Sequence, residues 1–270
     1  MKKYLSLILI LIFCLGCFFI IKNKFYSKNI SSNNISTDMS DKNKKKDREA
    51  SSEKLKNEDK IENKTDKTSE TKSPEIPNYT VVDGVKIGKK FVLDVNQQIQ
   101  KEWYYCAPTT VSMILSAKDK DVDQYTLAKE MGTYEPFGTH NKDAIRILNK
   151  YMFGYEYPAD NQSGYRLESV SLVNEEVLAT FKKRLKKNIE DGYPMYYTFD
   201  MSKVYEGRQG EHNVVGIGYA LTPDESDIAL LYYIDPSYKV QDATYGGLKV
   251  ITPEQLLTAM LTCEEPNYAW

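Results

Sequence analysis

Hydrophobic and polar positions divide the chain into three stretches with unlike rhythms. Behind Met1-Lys2-Lys3, the run from Tyr4 to Ile21 is apolar but for Ser6 and carries no charge. As a helix it would be roughly 27 Å long, close to the roughly 30 Å hydrocarbon core of a bilayer. In residues 22–78 the rhythm disappears. Lys, Asn, Ser, Asp, Glu and Thr alternate in mixed order, and isolated Leu55 and Ile61 make no stripe. So little apolar surface cannot offset chain entropy, which predicts a disordered tether. As a flexible coil it would span roughly 40 Å root-mean-square.

From Tyr79 onward the pattern becomes regular. Tyr79 to Val82, Asp83-Gly84 and Val85 to Ile87 predict a β-hairpin, because Asp-Gly supplies the positive φ of a tight turn. Phe91 to Val95 is a further strand. Pro108 suits a helix first turn, with Val111, Ile114 and Leu115 then on one face. Gln124 to Met131 predicts a short helix closed by Gly132, and Lys142 to Tyr151 another. Asn174 to Asp191 is the longest, with Val177, Leu178, Phe181, Leu185 and Ile189 turned to a core and its lysines to solvent. The period then becomes that of strands at Met195–Phe199, His212–Tyr219, Ala229–Asp235 and Leu248–Ile251. Thr252-Pro253-Glu254-Gln255 carries a capping-box pair. Helices first and strands later predict an α+β fold with an antiparallel sheet.

Charge sharpens this division. The whole chain has 36 Lys+Arg against 38 Asp+Glu. Residues 79–270 hold 20 Lys+Arg and 27 Asp+Glu, a formal charge of −7. That argues against nucleic acid as a partner, since phosphates need a basic face. Four cysteines without paired spacing exclude a disulfide scaffold and a zinc knuckle, and no metal or other cofactor is expected. Three readings fit residues 1–21: a retained signal anchor, a lipoprotein signal, or a cleaved secretory signal. Leu15-Gly16-Cys17 resembles a bacterial lipobox, although Cys14 stands where leucine is usual. All three would export the remainder of the chain. The basic leader favours a domain outside the cell membrane, with the N-terminal segment as the membrane partner. The expected organisation is therefore 1–21 signal or anchor, 22–78 linker and 79–270 folded domain.

The candidate chemistry centres on Tyr104-Tyr105-Cys106-Ala107-Pro108. Cys106 stands at a helix start, where unsatisfied N–H groups and the positive dipole end favour a thiolate nucleophile. The competing role is a small apolar side chain closing a core. Of the two histidines, His212 opens an alternating strand, held by the sheet yet reachable, and is the candidate base. His140 precedes a helix and suits a loop or capping role. Asp235 ends the next strand and could fix the imidazole tautomer, or simply form a turn before Pro236. Gln100, six residues before Cys106, could join the Cys106 N–H in holding an oxyanion. A Cys106–Cys263 disulfide would silence the thiol.

These segments resemble the papain-like cysteine peptidases of family thirty-nine, the double-glycine leader peptidases, and especially their stand-alone relatives. The resemblance rests on Gln100, Tyr-Cys-Ala-Pro-Thr-Thr at 105–110, Glu-His-Asn-Val-Val-Gly-Ile-Gly-Tyr at 211–219 and Ile-Asp-Pro at 234–236. It covers roughly Phe91 to Trp270. Ala107 departs from the glycine usual after the nucleophile in leader peptidases. The resemblance implies a papain-like fold in which the helix bearing Cys106 packs on the sheet. It also implies Cys106 as nucleophile, His212 as base, Asp235 as orienter and Gln100 as oxyanion donor, with a peptide or protein as substrate. Two other functions fit the same residues: a silent surface module that binds peptide, and a cell-wall amidase.

Overall fold

The computed structural model describes residues 80–270. The expected membrane segment at 1–21 and the tether at 22–78 lie outside the described residues. Among the described residues, no helix is long and apolar enough to cross a membrane.

Asp83 (φ 49°) and Gly84 (φ 76°) make the tight turn that joins β1 (Thr80–Val82) to β2 (Val85–Ile87), with Val82 opposite Val85. The third strand, β3 (Lys90–Val92), pairs antiparallel with β6 (Glu211–Leu221), and Phe91 stacks on Tyr219 at 5.0 Å. β3 is shorter than the expected Phe91–Val95. The Leu93 N–H still reaches the Ile217 carbonyl at 2.8 Å, but Val95 turns into the helical core.

Next come three helices: α1 (Cys106–Ser116), α2 (Gln124–Met131) and α3 (Asn141–Phe153). α1 is buried from Ala107 through Leu115, so the expected one-sided stripe understates it. A helix enclosed on all sides is central to a core. Asp123 caps α2 by accepting from the Tyr125 and Thr126 N–H groups, and Gly132 (φ 69°) ends it. α3 runs beyond the expected Lys142–Tyr151 at both ends. Its Asn141 N–H is capped by Glu265 Oε2 at 2.6 Å, from a loop 124 residues away.

The remaining chain is β4 (Leu167–Ser169), α4 (Glu175–Glu190), β5 (Met195–Asp200), α5 (Met201–Val204), β6, β7 (Ile228–Ile234), β8 (Leu248–Ile251), α6 (Pro253–Met260) and β9 (Asn267–Ala269). The strands form an antiparallel sheet in the order β4-β9-β5-β6-β7-β8, with β3 added to β6. The α+β class and the Cys106 helix on an antiparallel sheet are thus observed. Asn174 caps α4, and both halves of the Thr252–Gln255 capping box are formed on α6. Lys182 on α4 does not face open solvent. It is largely buried and pairs with Asp227 and Glu254.

One sheet face packs α1, α2 and α3 through Val111, Leu127, Ile145, Val215 and Ile217. The other packs α4 and α6 through Phe181, Leu185, Val214, Leu256 and Tyr219. Residues 215 and 217 share a face, as strand alternation requires. Tyr219 is on the opposite face because the register slips between Gly216 and Gly218. A bulge adds one residue and so inverts the parity beyond it.

Gly218 lets the β3 backbone approach closely. A Cβ there would lie 2.2 Å from the Phe91 carbonyl oxygen and 2.8 Å from the Val92 Cα. Gly218→Ala is therefore expected to cost about 1–3 kcal/mol of stability, as overpacking against backbone does. Thermal unfolding should show a Tm lower by roughly 2–10 °C.

Candidate active site

Cys106 is the first residue of α1. The helix therefore begins two residues before the expected start at Pro108. Proline is still tolerated there, since N–H groups of a first turn have no intrahelical acceptor. Tyr105, at the cap position, makes no side-chain capping bond. Thr110, one turn on, donates from Oγ1 to the Asn213 carbonyl at 3.0 Å and fixes α1 to β6.

His212 is the second residue of β6 and stands opposite Phe199 of β5. It is buried, and its Nε2 lies 2.7 Å from Asp235 Oδ1. Asp235 comes directly after β7 and is fully buried. Its Oδ1 also accepts the Ser237 N–H at 2.8 Å, and its Oδ2 accepts the Tyr205 hydroxyl at 2.7 Å. Burial pushes the Asp235 pKa upward, but the His212 charge and these bonds outweigh it and hold the carboxyl below its ordinary value. Burial likewise works against a charged His212. Asp235 outweighs that, with a smaller contribution from Cys106, so the imidazole pKa is raised. With Nε2 committed to Asp235, Nδ1 is the ring nitrogen outside that bond. Burial and the Asp235 charge drive the Tyr205 pKa far up, so its hydroxyl remains a donor.

The sulfur has a partner that the motifs did not point to. Cys106 Sγ donates to Asn213 Oδ1 at 3.3 Å. Asn213 is buried, and its Nδ2 donates to Thr198 Oγ1 at 2.9 Å and to Asn141 Oδ1 at 3.1 Å. Asn141 Oδ1 also accepts the Tyr196 hydroxyl, while its Nδ2 donates to the Glu265 carbonyl. The strand alternation at 211–219 holds the only sequence signal for Asn213, a polar side chain facing α1 where Val215 and Ile217 are apolar. Asn141, Tyr205 and Glu265 gave no signal at all.

Gln100 is buried beside the same cleft. Its backbone N–H bonds the Pro236 carbonyl at 2.9 Å, tying its loop to the turn after Asp235. The side-chain Nε2 donates to the Glu102 and Trp103 carbonyls at 3.0 and 2.7 Å, and Oε1 is buried without a partner. His140 occupies the cap position of α3 but makes no side-chain cap. Its Nδ1 lies 2.6 Å from Glu265 Oε1 instead. Glu265 thereby does the capping expected of the histidine.

Cys106, His212, Asn213 and Gln100 line a cleft of about 570 Å³. Cys263 lines it too, but both cysteines are free thiols, so the disulfide alternative is not formed. Burial, with Glu211 and Asp200 nearby, pushes the Cys263 thiol up to about 12.

A helix that opens with cysteine, lying on an antiparallel sheet whose neighbouring strands bring histidine and aspartate to the same end, is the build of papain-like thiol hydrolases. The chain belongs to the Peptidase_C39 like family, whose model matches residues 92–250, and is thus a cysteine peptidase by family. Among solved structures it is similar to a C39-like peptidase from Bacillus anthracis, at 16% identity over 67% of this chain and 96% of that one, with a TM-score of 0.41. It is also similar to the peptidase domain of Streptococcus ComA, at 14% identity over 64% and 95%, with a TM-score of 0.39. A double glycine motif protease from an AMS/PCAT transporter, crystallised with a leader peptide, gives 14% identity over 66% and 91%, with a TM-score of 0.39. No curated protein matches this chain in sequence.

The two shifts define a stability window. The lowered Asp235 pKa gives stability that is present above the ordinary carboxylate value and lost as pH falls through the folded one. The raised His212 pKa gives stability fully present below about 6.5 and lost as pH rises through its folded value. Asp235→Asn should therefore cost most between about pH 4 and 6.5, on the order of 3–5 kcal/mol, because it leaves a buried partner uncompensated. Thermal melts of both proteins across pH should show the gap narrowing towards alkaline pH. A gap that stays constant would contradict the coupling.

Proposed function

We propose that the chain is an extracytoplasmic cysteine peptidase, held at a membrane by its N-terminal segment, that cleaves peptide bonds with Cys106. The observation that carries this reading is the buried His212–Asp235 pair, whose histidine lines the same open cleft as the Cys106 sulfur at the start of α1. The Cys106 thiol gives its proton to His212 Nδ1, and the sulfur adds to the peptide carbonyl. The first N–H groups of α1 face the developing oxyanion. Gln100 joins them once its amide turns from the Glu102 and Trp103 carbonyls. His212 then returns the proton to the leaving amine, which departs and leaves a thioester. Water adds to the thioester, its proton passing to His212, and the acid is released with the thiol restored. Asp235 and Tyr205 hold the ring orientation throughout. Asp200, Glu211 and Glu264 face the cleft, with Lys239 opposing them, which suits a basic or neutral peptide.

One observation favours a second reading, a silent peptide-binding module. Both Gln100 amide hydrogens are engaged by loop carbonyls, so the oxyanion site lacks its side-chain donor in this arrangement.

Labelling with a thiol-directed peptide electrophile separates the two. Cys106 should be modified at neutral pH, and Cys106→Ala should abolish both labelling and peptide cleavage. Labelling that persists in that variant would move the nucleophile to another cysteine, and an unlabelled wild type would favour the silent module. Gln100→Ala should lower kcat about 10²–10³-fold with little change in KM.

A further inference from the structure

The cleft that holds Cys106 is lined by two unlike sets of side chains. The loops before α1 and α3 contribute Trp103, Tyr104 and Phe137, which carry no charge. Trp103 is 52% exposed and Phe137 44%, so much of each ring is left for a ligand. The sheet side contributes the carboxylates of Asp200, Glu211 and Glu264. Contacts outside the cleft bring Phe137 and Glu211 into one neighbourhood. Phe137 packs on the His140 ring at 4.3 Å, and His140 Nδ1 lies 2.6 Å from Glu265 Oε1. The Glu265 N–H then donates to Glu211 Oε2 at 3.3 Å, and the Glu264 N–H to the same oxygen at 2.7 Å. An aromatic face and a carboxylate are thus held close together in the cleft of the nucleophile.

The carboxylates are not equivalent. Burial works against the Asp200 charge, but its bonds to Ser202 and Thr262, with Lys203 nearby, outweigh it and lower the pKa. Glu211 has the opposite balance. Burial and the charges of Glu265 and Glu264 outweigh its two N–H bonds and raise the carboxyl, and no cation is among the groups that set it. The cation of the cleft itself, Lys239, lies over the Tyr238 ring at 5.7 Å. A carboxylate so placed is stabilised by a cation that arrives from outside. We propose that Glu211 is a specificity-determining residue that selects a peptide with Lys or Arg near the scissile bond, its stem lying along Phe137 and its charge meeting the Glu211 carboxylate. A long basic side chain suits this pairing because its stem is apolar and its head charged. An aromatic face adds to the attraction. A neutral chain of equal length keeps the stem contact and loses the ionic one. An acidic chain is repelled by Glu211 and Glu264. The inference rests on the reading of the chain as a peptidase and narrows its substrate class.

The test uses three pools of fluorescein-labelled dodecapeptides with the same randomised Ala, Ser and Leu positions. They differ only in carrying Lys, norleucine or Glu at every third position. Initial cleavage rates at low peptide concentration are compared for the full-length chain and its Glu211→Gln variant, which keeps an acceptor for the Glu264 and Glu265 N–H groups. The full-length chain should cleave the Lys pool about tenfold faster than the norleucine pool, the size expected for one charged hydrogen bond, and the Glu pool slowest. Mass spectrometry of the products should place Lys at one fixed position near the cut. In Glu211→Gln the Lys-to-norleucine ratio should fall about tenfold. A merely structural loosening would slow both pools and leave that ratio unchanged. Equal rates for Lys and norleucine, or a preference that survives Glu211→Gln, overturn the proposal. Binding of the same pools to Cys106→Ala, with and without Glu211→Gln, is read by fluorescence anisotropy and should show the same ratios. If the full-length chain cleaves no pool, the peptidase reading fails and binding decides this one. Tighter binding of Lys that depends on Glu211 supports the proposal, and equal or absent binding overturns it.

Discussion

The buried pair of His212 and Asp235 is the constraint around which this molecule is arranged. Two ionisable groups with almost no access to water are stable only when each satisfies the other and the remaining lone pairs are filled. The chain meets that demand from three directions: the Ser237 N–H, the Tyr205 hydroxyl and the imidazole itself all point at one carboxylate. Meeting it fixes the ends of β6 and β7, the turn at Pro236 and, through the Gln100 N–H, the loop that leads to Cys106. The electrostatics of the site and the geometry of these strand ends are thus one problem with one solution.

On the opposite side of the sulfur a different kind of order prevails. Asn213, Asn141, Tyr196, Thr198 and Asn267 form a neutral buried network in which each amide settles the orientation of the next. Such a network is rigid because partial satisfaction would be costly. It also couples the site to the C-terminal loop, since Glu265 caps α3 and pairs with His140. Cys106 therefore lines a cleft with an ionic pair and touches an amide network.

Much of the architecture was legible in the residues. The Asp83-Gly84 turn, the glycine stop at Gly132 and the Thr252 capping box are local devices, and each formed where the spacing predicted. Cys106, His212 and Asp235 were legible for a similar reason. Their residue types are scarce, or stand at an element boundary that the periodicity located. The short strands β4 and β9 were not legible, since three residues cannot display a period and their pairing joins segments about a hundred residues apart. The inverted parity at Tyr219 was hidden too, because the bulge depends on how β6 meets β3 and β7.

The sequence by itself determined the four long helices and the α6 start to within a few residues, the strand alternation up to the bulge in β6, and the presence of one cysteine at a helix start with two histidines to choose from. These arise from interactions within a few residues, which every chain segment carries with it. Tertiary structure decided that Asn213 touches the sulfur, that Gln100 spends its amide hydrogens on its own loop, and that Glu265 rather than His140 caps α3. The first and last of these depend on contacts between residues 107 and 124 positions apart, whose distances are set only when the sheet registers close.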